Sequence, residues 1–212
     1  MSAVKLIPTN GGGSVSLVPP TSTSGSDVTI TLPSESQTLP TGGVLEQFYY
    51  PCIGETVTTS AGDITLGNVT ELLQGTSTYV DLPGSSVAYT PPSGTKTVIY
   101  KFQFAHTKSG DSHQIGHFKF FIDSDEVTKA YMSHGCEDVQ GLVTYEWPIR
   151  VGGTADTTTG RVASWTSNKT LKMTYREYNS SNETRVHCTT NTDGNTSPTF
   201  VVPRIGITAL NI

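Results

Sequence analysis

Charged residues are scarce in this chain. Asp, Glu, Lys and Arg together make up 15% of the 212 residues, and the formal net charge is -5. A nucleic-acid-binding surface needs clustered Lys and Arg to neutralise phosphates, so we predict no nucleic-acid partner. Lys and Glu, which commonly build surface helices, are few, and this favours strands and turns over helices.

Cysteines and long apolar runs are scarce as well. The three cysteines, Cys52, Cys136 and Cys188, are odd in number and have no Cys-x-x-Cys spacing. We predict three free thiols in a protein made in a reducing cytosol; one disulfide with a leftover thiol is the alternative. No run approaches the roughly 18 apolar residues of a spanning helix, so we expect no membrane insertion. The first residues lack the apolar core of a signal peptide, so we expect none.

Residues 1–43 differ from the rest of the chain because Gly, Pro and Ser interrupt them densely. Between these breakers lie two short alternating runs, 14–18 and 28–32. Strict period-2 alternation predicts strands with one apolar face. Each run has too few apolar side chains to build a core, so we predict that copies of the segment or another protein bury them; a disordered linker is the alternative. The predicted anchor residues are Val15, Leu17, Val28, Ile30 and Leu32.

From Val44 onward the pattern predicts a globular domain over residues 44–212. Short strands separated by Gly- and Pro-rich turns, with no convincing helix, predict an antiparallel β-sandwich of the jelly-roll kind. The whole chain is therefore predicted to be all-β, with an extended arm followed by this sandwich. The predicted strands are 45–51, 79–82, 86–90, 97–106, 117–123, 126–132, 142–149, 161–165, 170–178, 184–189 and 199–209.

Two of these strands, 97–106 and 117–123, carry the clearest candidate core. We predict that they pair as a hairpin and that their apolar faces join. The side chains concerned are Val98, Tyr100, Phe102, Phe104, Phe118, Phe120 and Ile122. A helix over 125–134 competes with a second hairpin that turns at Ser124 and Asp125, and we favour the hairpin.

Several stretches of the chain resemble structural proteins of marine bacteriophages. Residues 12–20 and Val-Thr-Ile-Thr-Leu-Pro (28–33) resemble the β-structured N-terminal segments of tail fibres and related virion proteins. Residues 83–95, 152–166 and 171–178 resemble the C-terminal domains that accompany such arms. The resemblance covers most of the chain, although a long shaft is missing. It implies a virion protein that forms trimers and contacts the host, and it carries over no catalytic residue.

Three histidines are the candidates for a metal site. His106, His113 and His117 surround one loop, and His106 and His113 would approach each other across a hairpin. A metal site needs fixed ligands and a supporting second shell, which the sequence does not show. We therefore favour ordinary histidines at a loop edge and predict no metal and no cofactor.

Carboxylates offer no stronger site. The Asp123, Asp125 and Glu126 cluster lacks the ligand spacing of a calcium loop. The neighbouring Glu137 and Asp138 would point to opposite faces of a strand, so they would not flank one glycosidic bond, and Glu146 stands apart from both. We predict no catalytic residues and no enzyme activity.

These observations predict a structural virion appendage, made in the host cytoplasm and assembled as a homotrimer. It is expected to be a short tail fibre, a capsid-mounted fibre or a decoration protein. Its arm would dock to another virion protein, and its C-terminal domain would face a host-surface glycan or protein. The alternative is a carbohydrate-binding module of a secreted adhesin or enzyme. A set of aromatics would then stack on sugar rings, although we favour positions for them in the core or at a subunit interface. Those aromatics are Tyr49, Tyr50, Tyr145, Trp147, Trp165, Tyr175 and Tyr178.

Overall fold

A computed structural model gives the fold of the chain in two units, residues 1–39 and 40–212. It describes the backbone of residues 4–6 and 15–17, together with residues 43–108, 114–136, 141–179, 183–190, 193 and 197–212. In the first unit, β1 (Val4–Leu6) and β2 (Val15–Leu17) form an antiparallel ladder. Strand β2 falls within the predicted run 14–18. The run 28–32, with Val28, Ile30 and Leu32, lies outside the described residues.

The second unit is built from strands and one short 3-10 helix, Thr128–Ala130. Its strands in chain order are β3 (Val44–Pro51), β4 (Thr56–Thr59), β5 (Gly62–Thr65), β6 (Leu73–Gln74), β7 (Val80–Asp81), β8 (Val87–Tyr89), β9 (Thr97–Lys108), β10 (Gln114–Ile122), β11 (Asp125–Glu126), β12 (Met132–Cys136), β13 (Gly141–Arg150), β14 (Lys169–Glu177), β15 (Thr184–Val186), β16 (Cys188–Thr189), β17 (Thr199–Phe200) and β18 (Arg204–Leu210). The all-β prediction is confirmed. No helix in the described part of the chain is long and apolar enough to cross a bilayer.

Most of these strands belong to two antiparallel sheets of six strands each. The first sheet runs β3-β18-β9-β15-β6, with β13 paired to the other side of β9. The second sheet runs β11-β10-β14-β7, with β12 paired to β10 and β8 paired to β14. The pairs β4–β5 and β16–β17 form small separate ladders. This arrangement is the predicted β-sandwich.

The core lies where β9 of the first sheet faces β10 of the second. Alternation along each strand sends every second side chain inward. The ring centroids of Tyr100 and Phe120 lie 4.9 Å apart, and those of Phe104 and Phe118 lie 5.1 Å apart. At roughly 1.5–3 kcal/mol for each large apolar side chain fully buried, this layer supplies much of the stabilisation. The predicted core residues are all buried.

The predicted pairing of these two strands is wrong. Strand β9 pairs with β13, β15 and β18, whereas β10 pairs with β11, β12 and β14, so the two belong to different sheets. A hairpin would place both apolar faces on one side of a single sheet and leave them to be covered by something else. Face-to-face packing lets each apolar face cover the other, and therefore removes more apolar surface from water.

Four smaller differences separate the predicted strands from the observed ones. The predicted hairpin after β10 forms one residue earlier, because Ile122 pairs with Asp125 and Asp123 takes a positive φ of 56°. Of the strand predicted over 126–132, only the two ends are extended, Glu126 in β11 and Met132 in β12, and the 3-10 turn lies between them. Residues 161–165 make only isolated bridges, and the β4–β5 hairpin was not predicted.

Replacing a core ring tests the face-to-face packing. The Phe120→Ala substitution removes a fully buried ring that contacts Tyr100 and Tyr145, and we expect it to lower the free energy of unfolding by about 3–5 kcal/mol. Phe121→Ala, on the outer face of the same strand, is the matched control and should cost clearly less. Urea unfolding followed by circular dichroism gives both values. Equal losses would contradict the assignment of inner and outer faces.

Candidate functional site

The apolar core becomes polar at one end. On β9 the inward series of Phe102 and Phe104 continues to His106, which is fully buried. On β14 the inward series that contains Tyr175 continues to Glu177, which is also buried. Alternation therefore carries titratable groups into the space between the sheets, where they are removed from water.

His106 meets two further metal-type ligands there, His134 and Cys136. The Nδ1 atoms of the two histidines lie 2.8 Å apart, and the Cys136 Sγ atom lies 3.0 Å from His106 Nδ1. The same sulfur lies 3.8 Å from His134 Nδ1. The three donor atoms thus converge within 4.8 Å of one another, with His106 and Cys136 buried and His134 half-buried. We refer to these three residues as the His-His-Cys cluster.

The two sheets contribute to the cluster from opposite sides. His106 comes from β9 of the first sheet, whereas His134 and Cys136 are alternate residues of β12 and therefore share its inner face. Strand β12 is held beside β10, where His134 pairs with Gly116. A Cβ atom on Gly116 would lie 2.8 Å from the His106 ring, so the absence of a side chain at this position makes room for the imidazole.

Burial keeps the cluster uncharged. Desolvation, with a smaller contribution from His134, lowers the pKa of His106 to about 3, and desolvation also lowers the pKa of His134. Desolvation raises the pKa of the Cys136 thiol to about 12. Burial therefore disfavours the thiolate that a nucleophilic cysteine needs. Two neutral imidazoles are ligands that a metal ion can bind, and so is the thiol once it loses its proton.

Tyr175 packs beside the cluster and links the two sheets. The Tyr175 ring stacks on Phe118 with centroids 5.1 Å apart and meets the His106 ring edge-on at 6.0 Å. Its hydroxyl hydrogen-bonds the Thr184 hydroxyl of the first sheet. Desolvation raises the pKa of the neighbouring Glu177 carboxyl. The end of the sandwich is therefore closed by polar contacts between the sheets.

The structure describes two of the three predicted histidines, His106 and His117. His106 does lie among potential ligands, but its partners are His134 and Cys136, which the sequence reasoning did not select. His117 is on the outer face of β10, where its Nδ1 atom hydrogen-bonds the Ser133 hydroxyl at 2.8 Å, so it does not join His106. His113 lies outside the described residues. The sequence does contain one indication of this pair: His134 and Cys136 are two residues apart, and on a strand such residues point to the same face.

The predicted free thiols and solvated carboxylates have clear positions. Cys52, Cys136 and Cys188 are free and buried. The Asp123 carboxylate accepts hydrogen bonds from the Lys169 ammonium group at 2.9 Å and from the Thr170 backbone at 2.8 Å. These contacts hold Asp123 in the hairpin turn between β10 and β11.

The other predicted carboxylates differ in their surroundings. Glu126 forms an ion pair with Lys119 at 3.0 Å, and Glu146 lies 3.9 Å from Lys101. Asp125 is exposed on β11 and lines a shallow surface cavity, while Glu137 and Asp138 lie outside the described residues.

The aromatic residues named for sugar stacking do not form one exposed set. Tyr145, Trp165 and Tyr175 are buried in the core, as the favoured interpretation of these aromatics expects. Trp147 is half-buried, and its indole N–H donates to the Thr159 carbonyl at 3.1 Å. The exposed members are Tyr49, Tyr50 and Tyr178.

Comparison with known proteins gives distant structural similarity. No protein family matches the chain, and no curated protein matches it. Among solved structures it is similar to a chain in the structure of infectious bursal disease virus Gx strain, with 11% identity and a TM-score of 0.36 over 97% of this chain and 50% of that one. A chain of the Gt strain gives 11% identity and a TM-score of 0.32 over 96% and 48%. The protein spans about half the length of these viral chains.

The buried His187 predicts a loss of stability in acid. Desolvation lowers the pKa of this ring from 6.5 to about 4, against a smaller opposing contribution from the Pro83 backbone. The folded state then binds fewer protons than the unfolded state between these values, so stability is full above about pH 6.5 and falls as the pH drops towards 4. We expect the urea midpoint to decrease between pH 7 and pH 4.5.

The His187→Asn variant isolates this contribution. Asparagine tolerates the positive φ of 63° at this position, and it does not titrate in this range. The midpoint of the variant should be lower than that of the parent at pH 7, because packing against Phe102 and Phe104 is lost, but it should decrease less steeply in acid. An identical slope in both proteins would show that His187 does not remain neutral in the fold.

Proposed function

We propose that the chain is a non-enzymatic virion structural protein, assembled as a homotrimer and docked through its N-terminal arm. The observation that carries the proposal is strand β3, the eight-residue edge of the first sheet. It pairs with β18 on one side, and no strand within the described residues pairs with its other side. A long unprotected edge strand is a template for pairing with another chain.

The side chains of β3 support pairing rather than protection. Val44 is 57% exposed, and Leu45, Tyr49 and Tyr50 are also exposed. The strand has one charged residue, Glu46, which is already engaged with its own domain. Its carboxylate accepts hydrogen bonds from the Ser60 backbone at 2.6 Å and from the Tyr89 hydroxyl at 2.7 Å. The usual charged protection of an edge is therefore absent along this strand.

The position of β3 in the chain links this edge to the arm. Strand β3 begins directly after the arm, and the Gly43 carbonyl accepts a hydrogen bond from the Asn211 backbone at 3.0 Å. The C-terminal Ile212 is exposed in addition to Val44 and Leu45. The second unit thus has apolar surface where residues 1–43 join it, and the arm itself has alternating runs too small to build a core.

The proposed assembly has two kinds of partner. Copies of the same chain cover the β3 edge in a homotrimer, and another virion protein receives Val15, Leu17, Val28, Ile30 and Leu32. The resemblance of the arm to bacteriophage fibre proteins and the low charge of the chain support this assignment. In the particle the protein serves as a short tail fibre, a capsid-mounted fibre or a decoration protein. Residues 44–212 then face the host surface and its glycans or proteins.

A charge on the β3 edge tests the proposed trimer. Light scattering on the full-length protein should give three times the chain mass of 22.6 kDa. The Val44→Lys substitution should shift the mass towards one chain, because a lysine would be buried between copies. Leu142→Lys, equally exposed on the opposite edge strand β13, is the matched control and should leave the trimer intact. A parent protein of one chain mass would contradict the proposal, as would a trimer that tolerates Val44→Lys.

Deleting residues 2–43 tests the arm. We expect the remaining domain to keep its β-type circular dichroism spectrum and a cooperative melt, because the described core lies entirely within residues 44–212. The same deletion should abolish incorporation into particles, which quantitative mass spectrometry of purified particles measures. Normal copy number without the arm would show that it is not an anchor. Loss of folding would show that the arm belongs to the core.

A further inference from the structure

We propose that His106, His134 and Cys136 bind one thiophilic transition-metal ion of the zinc class, which clamps the two sheets together. Three donor atoms, one from each residue, lie within 4.8 Å of one another. Each Nδ1 atom carries either one proton or one in-plane lone pair. His106 Nδ1 nevertheless faces both His134 Nδ1, at 2.8 Å, and Cys136 Sγ, at 3.0 Å. A single hydrogen bond accounts for one of these contacts, whereas a central metal ion uses a lone pair from all three atoms.

The spacing requires only a small adjustment to accept an ion. Zinc binds nitrogen at about 2.0–2.1 Å and sulfur at about 2.3 Å, and tetrahedral angles then place nitrogen atoms about 3.3 Å apart and nitrogen and sulfur about 3.6 Å apart. The contact between Cys136 Sγ and His134 Nδ1, at 3.8 Å, is close to this value. The two shorter contacts need to open by roughly half an ångström. A shift of the half-buried His134 side chain opens the contact between the two histidines, whereas the contact with the sulfur requires a shift of the buried His106 or Cys136 side chain.

The chemistry of the donors selects the class of ion. Two imidazole nitrogens and one sulfur suit zinc, cobalt or copper, whereas magnesium and calcium require oxygen ligands. Binding converts Cys–SH and M²⁺ into a Cys–S⁻–M²⁺ bond and one released proton, with no change in oxidation state. Three protein ligands leave a fourth position for a water molecule. Three protein ligands with one open position are the pattern of catalytic zinc sites, but the burial of His106 and Cys136 restricts access to that position.

The position of the cluster in the fold gives the ion a mechanical role. Strand β12 has five residues and is paired within its sheet only to β10, as far as the described residues show. His106 belongs to β9, in the opposite sheet. An ion bound to all three residues would therefore fasten a short edge strand to the facing sheet at the polar end of the core, where aromatic packing stops.

Metal titration of the reduced, full-length protein tests the site directly. Cobalt(II) serves as the probe because thiolate coordination gives a charge-transfer band and tetrahedral geometry gives intense d–d bands. We expect one equivalent of cobalt per chain, displaced by one equivalent of zinc, and a higher melting temperature with zinc than with a chelator. Magnesium and calcium should not compete. Substoichiometric cobalt binding, absence of the thiolate band, or displacement by magnesium would overturn the proposal.

Variants separate this site from adventitious binding. His134→Gln and Cys136→Ser should each weaken cobalt binding by at least about 10-fold, the lower end of what loss of a supporting residue costs at a metal site. His117→Gln, on the outer face of the adjacent strand, and Cys188→Ser, another buried thiol, are the matched controls and should bind as the parent does. Should Cys136→Ser fail to fold, the half-buried His134→Gln still decides. Unchanged affinity in His134→Gln, or equal loss in His117→Gln, would contradict the assignment.

Discussion

The packing of β9 against β10 is the interaction on which the rest of this structure depends. Tyr100, Phe104, Phe118 and Phe120 meet across the two sheets and form a continuous aromatic layer. Apolar burial on this scale is what allows a chain with so few charges and no α-helix in its described residues to form a stable domain. Most of the strands beside β9 and β10 add inward-facing side chains to the same layer.

The alternation of side chains along the strands builds the aromatic layer, and at its end the same alternation places polar groups between the sheets. Placing His106, Cys136 and Glu177 between the sheets costs free energy, because each loses its contact with water. The fold keeps the histidine and the thiol neutral, and it brings their donor atoms together instead of separating them. At this end of the core, the same side chains therefore affect the stability of the fold, its response to pH and the proposed binding of a metal ion.

The sequence predicted which side chains are buried more successfully than which strands pair. Alternation identifies the inner face of β9 because Val98, Tyr100 and Phe102 recur at every second position, and the structure buries all three. The pattern is the same whether two strands lie side by side or face each other, so it could not exclude the hairpin. His134 and Cys136 are 28 and 30 residues from His106, and only the pairing of β12 with β10 brings them near. Long-range pairing of this kind leaves no local signal.

In the proposed assembly, copies of the sandwich meet at the exposed apolar edge of β3, and residues 1–43 bind another virion protein. Electron cryomicroscopy of particles purified from cells in which the chain is naturally made tests this assembly. We expect density for three copies around one axis, with their β3 edges at the subunit contacts and residues 1–43 lying on another virion protein. Particles that lack the chain, or that hold it as isolated single copies with β3 exposed to solvent, would contradict the proposed assembly.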